Sequence, residues 1–488
     1  MIKNYKKSCL YFLLASIFYL FPIIKADRYF IDDFNRSFLG YLSWSDNGRP
    51  MADVVMSVLN FGTIISDISP LTQILGVLSL LTVVFFLLKT CNINSYQVAM
   101  CAMCVIVSPF LMETLSYAYD SLTMLLSISI LFLAFIPKIS KKYVEFLWHF
   151  SCVTISLCLY QASLGIYVVI ALISYFENKN EESPSFRQLS TYAISFISSY
   201  AFYAKIIAPI FISGGYSTKR SEMINFSDPK SFLHFYDNLI KYIDFILLAY
   251  PKPFMVVVLL LVSLGYAGVI KKAILYFREK TTPAYIAAII SILSPLIIFV
   301  ICVAPLSVLS NPPMMSRVLT IVGVATLFFM YYSFTLFTGT LKKVPYAISI
   351  LFFVYSYATI YAYGNAQTRE KAFEEYIIGM MQSDLSNISD SDNFDIYGTA
   401  PVSPVSSLIV SQHPIMAWAV LSNITFRDEW RTNIALSNYK FKWKYKIGSY
   451  TGSIDNPECK FLAKKYNGYY TTFKKDGVVL FHFKESCK

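Results

Sequence analysis

Charged residues are scarce in this sequence. They make up 15% of the 488 residues, whereas an ordinary soluble domain has about a quarter. Apolar residues make up 56%, and the mean hydropathy is +0.52. Because so little charge cannot cover a water-exposed surface, the composition excludes a soluble protein and predicts a membrane protein.

The sequence also lacks a glycine-rich phosphate loop, a zinc-ligand signature and an internal repeat. Cys101 and Cys104 have CxxC spacing, but they lie in an apolar segment without histidine or carboxylate neighbours, which favours packing over a metal site. No metal, cofactor or nucleic-acid partner is therefore predicted. A divalent cation is compatible with the sequence but has no signature in it.

Apolar runs long enough to cross a bilayer recur along the first three quarters of the chain. The fifth and sixth are short and meet at Tyr160 and Gln161, so they form either two spans or one re-entrant hairpin. The sequence predicts a polytopic α-helical membrane protein with about eleven transmembrane helices: 9–24, 71–88, 96–112, 121–135, 147–159, 164–176, 189–211, 254–270, 284–303, 318–337 and 345–363.

Lysine and arginine cluster in the short loops on one side of these spans. Such clusters mark the cytoplasmic side, whereas long translocated segments escape the rule. The sequence therefore predicts a bacterial inner-membrane protein with its N-terminus in the cytoplasm and its C-terminal tail in the periplasm. The clusters contain Lys3, Lys6 and Lys7; Lys138, Lys141 and Lys142; Lys271, Lys272, Arg278 and Lys280; and Lys342 and Lys343.

The polar residues outside the predicted spans are concentrated in two loops and the tail. We expect a transmembrane domain at 1–363, with periplasmic loops 25–70 and 212–253, and a small α/β periplasmic domain at 364–488. In the tail, a helix is predicted at 367–385 and strands at 394–397, 469–473 and 478–483. Asp476-Gly477 between the last two strands is typical of a β-hairpin.

Adjacent carboxylates follow the first span. Asp32 and Asp33 lie near Arg36 and Arg49, and a carboxylate here could take the proton of a hydroxyl that attacks a lipid-linked donor. Arginine would keep such a carboxylate ionised or bind a phosphate with its forked donors. The pattern predicts Asp32 and Asp33 as catalytic and the arginines as donor-phosphate ligands. The alternative is a solvated loop with surface ion pairs.

The short outward turn after the third span carries a second acidic pair, Glu113 and Asp120, with Tyr117 and Tyr119 between them. Brought near other carboxylates, these groups would raise one another's pKa values by repulsion between like charges. They are a possible second acidic site. Asp120 precedes Ser121 at a helix start, so a simple N-cap explains it equally well.

Three further basic residues are candidate ligands of a donor phosphate. Lys219 and Arg220 lie in the middle outer loop, and Arg317 lies just before the tenth span. Contact with lipid headgroups is the alternative for each of them.

Residues 51–61 have the spacing of a helix in the membrane interface.

The acidic loop, Gly48-Arg49-Pro50, Tyr119-Asp120 and Tyr160-Gln161 occur in this order along one multispanning chain. In this pattern the sequence resembles the type II Gtr family, the serotype-converting glucosyltransferases of Gram-negative bacteria. The resemblance covers the spans and implies an architecture similar to the GT-C class. In that class an acidic residue of the first outer loop serves as general base, which here matches Asp32 or Asp33 and leaves open which one.

The resemblance also implies a reaction. The donor would be undecaprenyl phosphate glucose and the acceptor a sugar of the lipid-linked O-antigen repeat, on the periplasmic face. Implied functional partners are a glucosyl-lipid flippase and a cytoplasmic glucosyl-lipid synthase, besides the membrane lipids themselves.

Two other functions share this composition. A flippase or transporter of a lipid-linked sugar would place charged groups within its spans, and these spans carry almost none. An O-antigen polymerase or ligase would use arginines in a large central outer loop. The concentration of polar residues in the first loop and the tail favours glycosyl transfer.

The tail contains two cysteines, Cys459 and Cys487. If the tail is periplasmic, it lies in an oxidising compartment. We therefore expect a disulfide between them.

Overall fold

The computed structural model describes residues 2–91, 93–177, 185–213, 215, 218, 222–228, 230–425 and 428–484. The chain divides into two compact units. The first, called the membrane unit below, comprises Met1–Phe21 and Leu42–Tyr361, and the second, the tail unit, comprises Pro22–Tyr41 and Ala362–Lys488. The helices Ile2–Ala26 and Lys343–Ile388 contribute residues to both units.

The membrane unit is helical. In the described part of the chain, seven helices are long and apolar enough to cross a membrane, or eight if the bent pair Ser95–Ile106 and Pro109–Ser116 counts as one span. The seven are Lys7–Ala26, Leu71–Lys89, Phe186–Phe211, Lys252–Glu279, Thr282–Ser307, Ser316–Leu336 and Gly339–Ile388. The multispanning architecture predicted from the sequence is therefore confirmed.

The remaining predicted spans fall on shorter or bent helices. The runs 121–135 and 164–176 correspond to the apolar helices Ser121–Leu133 and Gln161–Phe176, and 147–159 lies within Lys142–Leu159. Each predicted run thus coincides with a helix, while the count of eleven spans stays a prediction.

Glycine allows two of the long helices to touch backbone to backbone. A Cβ on Gly265 would overlap the backbone of Phe329, and one on Gly268 would overlap that of Tyr332. Small residues at helix contacts permit such close approach in membrane proteins. The helices Lys252–Glu279 and Ile321–Leu336 therefore pack closely.

Two further helices of the described residues lie between the long spans. Pro50–Leu59 confirms the helix predicted at 51–61; it packs against Lys142–Leu159, and its Ala52 and Met56 are buried. Lys230–Leu248 lies in the middle outer loop and was not predicted. It is anchored by Asn238, whose side-chain amide donates to the Leu309 carbonyl at 3.1 Å.

The tail unit contains a five-stranded sheet. The strands are β1 (Asn393–Tyr397), β2 (Lys444–Tyr445), β3 (Leu462–Lys464), β4 (Thr471–Lys475) and β5 (Val478–His482). Their order in the sheet is β2-β1-β5-β4-β3. Strand β1 pairs in parallel with β2 and β5, whereas β4 pairs antiparallel with β3 and β5. The helices Pro404–Gln412 and Glu429–Ser437 lie between β1 and β2 along the chain. The small C-terminal sheet domain is confirmed.

The predicted hairpin joins β4 and β5. Asp476 and Gly477 have φ of 49° and 81°, the left-handed pair that a two-residue turn between twisted strands requires. Strands β2 and β3 were missed, because two or three residues are too few to show an alternating pattern.

The boundary between the units differs from the predicted one. The start of the first outer loop, Pro22–Tyr41, belongs with the tail, whereas the sequence placed all of 25–70 with the spans. The Arg28 guanidinium forms an ion pair with Glu374 at 2.9 Å and donates to the Leu421 carbonyl at 2.6 Å. These bonds hold the segment in the tail unit.

Candidate functional site

An arginine–carboxylate pair lies at the start of one apolar helix of the membrane unit. Asp120 directly precedes Ser121–Leu133, and its side chain is 5% exposed. Trp44 donates its indole N–H to Asp120 Oδ1 at 2.6 Å, and Arg49 Nη1 lies 3.8 Å from the same oxygen. Asp120 makes no side-chain capping bond to its own helix. Its carboxylate therefore holds the first outer loop rather than capping the helix.

Arg49 is positioned by the turn between the fifth and sixth predicted spans. Its Nε donates to Gln161 Oε1 at 3.2 Å, and its guanidinium lies over the Tyr160 ring, 4.7 Å from the centroid. The side chain is 24% exposed. The guanidinium is thus held in place and partly exposed, so that an anionic ligand can reach it.

The backbone before Arg49 is fixed by two polar side chains. Gln161 Nε2 donates to the carbonyls of Asn47 and Gly48 at 3.0 and 3.2 Å, and the Tyr203 hydroxyl donates to Gly48 at 2.8 Å. Gly48 has φ of +73°, and a Cβ there would lie 2.5 Å from the Tyr203 oxygen. Only glycine therefore fits this position.

Asp53 orders the start of the same loop. Its carboxylate accepts the amides of Trp44 at 2.9 Å and Ser45 at 2.8 Å. These bonds stabilise the 3-10 helix Ser45–Asn47, which leads into Gly48. Asp53 therefore supports Trp44, which in turn contacts Asp120.

A second arginine–carboxylate pair involves Glu113 and Arg317. The Glu113 side chain is 3% exposed and Arg317 is 16% exposed, with Arg317 Nε 3.5 Å from Glu113 Oε1. Glu113 Oε2 also accepts the Ser316 hydroxyl at 3.0 Å and the Arg317 amide at 3.1 Å. A buried carboxylate needs such bonds to offset its lost hydration.

The two pairs lie on neighbouring elements. Ser316–Leu319, which carries Arg317, packs against Gln161–Ser163, which holds Arg49. The Arg317 guanidinium lies over the Tyr117 ring, 4.9 Å from the centroid. Both arginines thus lie over a tyrosine ring, beside a buried carboxylate and partly exposed. This arrangement can bind an anionic group such as a phosphate.

The acidic pair of the first loop lies in the tail unit, and its members differ. Asp33 is fully buried, and its Oδ2 accepts the Phe30 amide at 3.1 Å. Asp32 is partly exposed and makes no side-chain capping bond to the helix Asp33–Leu39. Asp33 therefore stabilises the loop, whereas the carboxylate of Asp32 remains reachable from solvent.

Arg36 is buried and lies over the Tyr41 ring, 5.6 Å from the centroid. The other predicted basic ligands, Lys219 and Arg220, lie outside the described residues. Within the described ranges, no group of three or more histidine, cysteine, aspartate or glutamate side chains is arranged to hold a metal ion.

Cys459 is disulfide-bonded. Cys487 lies outside the described residues, so the pairing of the two stays a prediction.

Sequence reasoning missed the partners of these residues. Trp44 and Tyr203 belong to no recognisable motif, and Gln161 was predicted to matter only as part of the dipeptide Tyr160-Gln161. Each is joined to its partner across 42 or more residues of chain. The order Gly48-Arg49-Pro50, Tyr119-Asp120 and Tyr160-Gln161 was the available signal, because the structure brings members of all three together.

Comparison with known proteins identifies a family. Residues 21–328 match the sequence model of the family described as glucosyl transferase GtrII. The chain is 27% identical over 456 residues to an uncharacterized 55.3 kDa protein encoded in the gtrB 5' region of Salmonella phage P22, covering 91% of this chain and 92% of the phage protein. No solved structure matches. Because the family match spans more than half of the sequence, the chain belongs to the GtrII family of glucosyl transferases.

Proposed function

We propose that this membrane glycosyltransferase moves glucose from undecaprenyl phosphate glucose to a sugar of the lipid-linked O-antigen repeat, on the periplasmic face of the inner membrane. The observation that carries the proposal is the Arg49–Asp120 pair at an end of an apolar helix. A cation fixed at such a position suits the phosphate of a lipid carrier, which lies at the membrane surface.

In the reaction, an acceptor hydroxyl attacks the anomeric carbon of the donor glucose. The new C–O bond forms as the bond from that carbon to the phosphate oxygen breaks, and polyprenyl phosphate leaves with the electron pair. The hydroxyl proton passes to a carboxylate. We assign this base role to Asp32, because Asp32 is partly exposed whereas Asp33 is buried.

Arg49 and Arg317 are assigned to the phosphate. Negative charge grows on the leaving oxygen as the bond breaks, and a guanidinium already held in place stabilises it without having to reorganise. Asp120 and Glu113 serve as positioning residues for these arginines. A flippase and a synthase for the glucosyl lipid are the functional partners that such a donor requires.

The test is mass analysis of the O-antigen from cells that supply undecaprenyl phosphate glucose, with and without the protein. We expect the repeat to gain one hexose only when both donor lipid and protein are present. Cells that lack the glucosyl-lipid synthase serve as the control. An unchanged repeat, despite normal amounts of the protein in the membrane, would reject the proposed acceptor and donor.

A further inference from the structure

A small, partly open cavity lies within the tail unit, on residues to which the proposed reaction assigns no role. It is lined by Arg28 and residues 29–31 of the first loop, by Asn423, and by Arg431 of the helix Glu429–Ser437. Two arginines on so small a cavity suit one small anionic group.

The first arginine, Arg28, is fixed by bonds to other residues of the tail unit. The Arg28 side chain is 6% exposed and is bound to Glu374 and the Leu421 carbonyl. Its Nε is buried and has no hydrogen-bond partner among the described residues. A buried donor left unsatisfied destabilises the fold, and a ligand that accepts this N–H would remove that cost.

The second arginine, Arg431, is fixed by the side-chain amide of Asn423. Asn423 accepts from Arg431 Nε at 3.1 Å and Nη2 at 2.8 Å, while its own backbone and side-chain N–H groups donate to Glu374. Burial lowers the pKa of Arg431 despite the opposing fields of Glu374, Asp428 and Asp32. The nearby carboxylates therefore do not fully compensate for the lost hydration of this charge.

The cavity lies near the proposed base. Asp32 is close enough to act electrostatically on Arg431, and the helix Asp33–Leu39 packs against Glu429–Ser437. A base must lie beside the attacking hydroxyl, whereas the leaving phosphate departs on the opposite side of the anomeric carbon. A group bound here therefore belongs to the acceptor rather than to the donor.

We propose that this cavity binds an oxyanion carried by the acceptor, through the guanidinium groups of Arg28 and Arg431. The inference rests on the proposed function in one respect, the role of Asp32 as base. The oxyanion is either the carboxylate of an acidic sugar or the diphosphate that links the saccharide to its lipid, since both match a forked donor.

The experiment measures binding of glucuronate, inorganic diphosphate and neutral glucose to the full-length protein in detergent, by isothermal titration calorimetry. The variants are Arg431→Gln, which removes the charge, and Arg431→Lys, which keeps it without the fork. Arg369→Gln is the matched control, because Arg369 is an exposed arginine of the same unit. Thermal melting of each variant checks that it is folded.

We expect at least one of the two anions to bind more tightly than glucose and to lose affinity about 10-fold or more in Arg431→Gln, with a smaller loss in Arg431→Lys and none in the control. Tighter binding of glucuronate would identify an acidic sugar, and tighter binding of diphosphate the lipid linkage. Unchanged anion affinity in folded Arg431→Gln, or glucose binding as tightly as both anions, would overturn the inference.

The same variants separate this inference from the proposed function. Anion binding that depends on Arg431, without hexose transfer in cells, would support the anion site in the cavity and reject the proposed function. Normal hexose transfer by Arg431→Gln would be compatible with the proposed function and would reject the cavity as a binding site for the acceptor.

Discussion

At the scale of single residues, the two adjacent aspartates of the first loop have different surroundings. The sequence predicts a catalytic carboxylate at this pair but cannot choose between the two, because neighbouring residues share the same local pattern. The choice depends on burial and on the bond from the Phe30 amide to Asp33, which only the folded loop defines.

We predict that Asp32→Asn lowers hexose transfer about 10²-fold or more, the size of effect expected for a positioned base. Asparagine keeps the shape of the side chain, so the amount of protein in the membrane should stay near that of the wild type. Asp33→Asn should instead reduce that amount, because it weakens a buried hydrogen bond worth about 1–3 kcal/mol. O-antigen mass analysis and immunoblotting of membranes measure the two effects. Normal transfer by Asp32→Asn would refute the assignment.

The arginine of the Gly48-Arg49-Pro50 motif allows a second prediction. Arg49→Gln should lower hexose transfer about 10²-fold, because it removes a fixed donor from the charge that develops on the leaving phosphate. Arg49→Lys should retain part of the activity, since the charge remains while the contact with Gln161 is lost.

Arg187→Gln is the matched control for Arg49, because Arg187 is an exposed arginine of the same unit. The rate of hexose transfer should be followed at several levels of donor-lipid supply. A loss of equal size in the control would show that the effect comes from general charge rather than from this position.

At the scale of elements, the apolar runs were readily predicted and the links between them were not. A run of apolar residues specifies a helix locally, and Asp476-Gly477 specifies a turn locally. The helix Lys230–Leu248 was missed because its four charged residues lower its hydropathy below that of a span. Its place depends on Asn238 bonding to a segment 71 residues away, which no local pattern records.

The disulfide is a prediction about the edge of the tail sheet. Cys459 precedes β3, and Cys487 follows β5 along the chain. We expect Cys459–Cys487 to close a loop around β3, β4 and β5 and to stabilise the tail by about 3–4 kcal/mol, less any strain. Peptide mapping by mass spectrometry without reductant should find the linked pair. Alkylation of both thiols in unreduced protein would rule it out.

At the scale of the whole molecule, the distribution of lysine and arginine predicts the orientation in the membrane. A periplasm-dependent reporter fused after Asn393 should be active, and one fused near Lys280 should be silent, because the short basic loops remain in the cytoplasm. Equal expression of both fusions is checked by immunoblotting. The opposite pattern of activity would reverse the orientation, and the periplasmic reaction would then be excluded.

The tail unit is built from segments at opposite ends of the chain, and this sets the order of events during synthesis. Arg28 leaves the ribosome early, but its partner Glu374 follows 346 residues later, and the helix that packs against Asp33–Leu39 begins only at Glu429. Contacts so distant along the chain form slowly, after the intervening parts have folded. The loop that carries the proposed base is therefore completed only once nearly the whole protein has been translated, and a chain that stops after its last span should be inserted in the membrane but inactive.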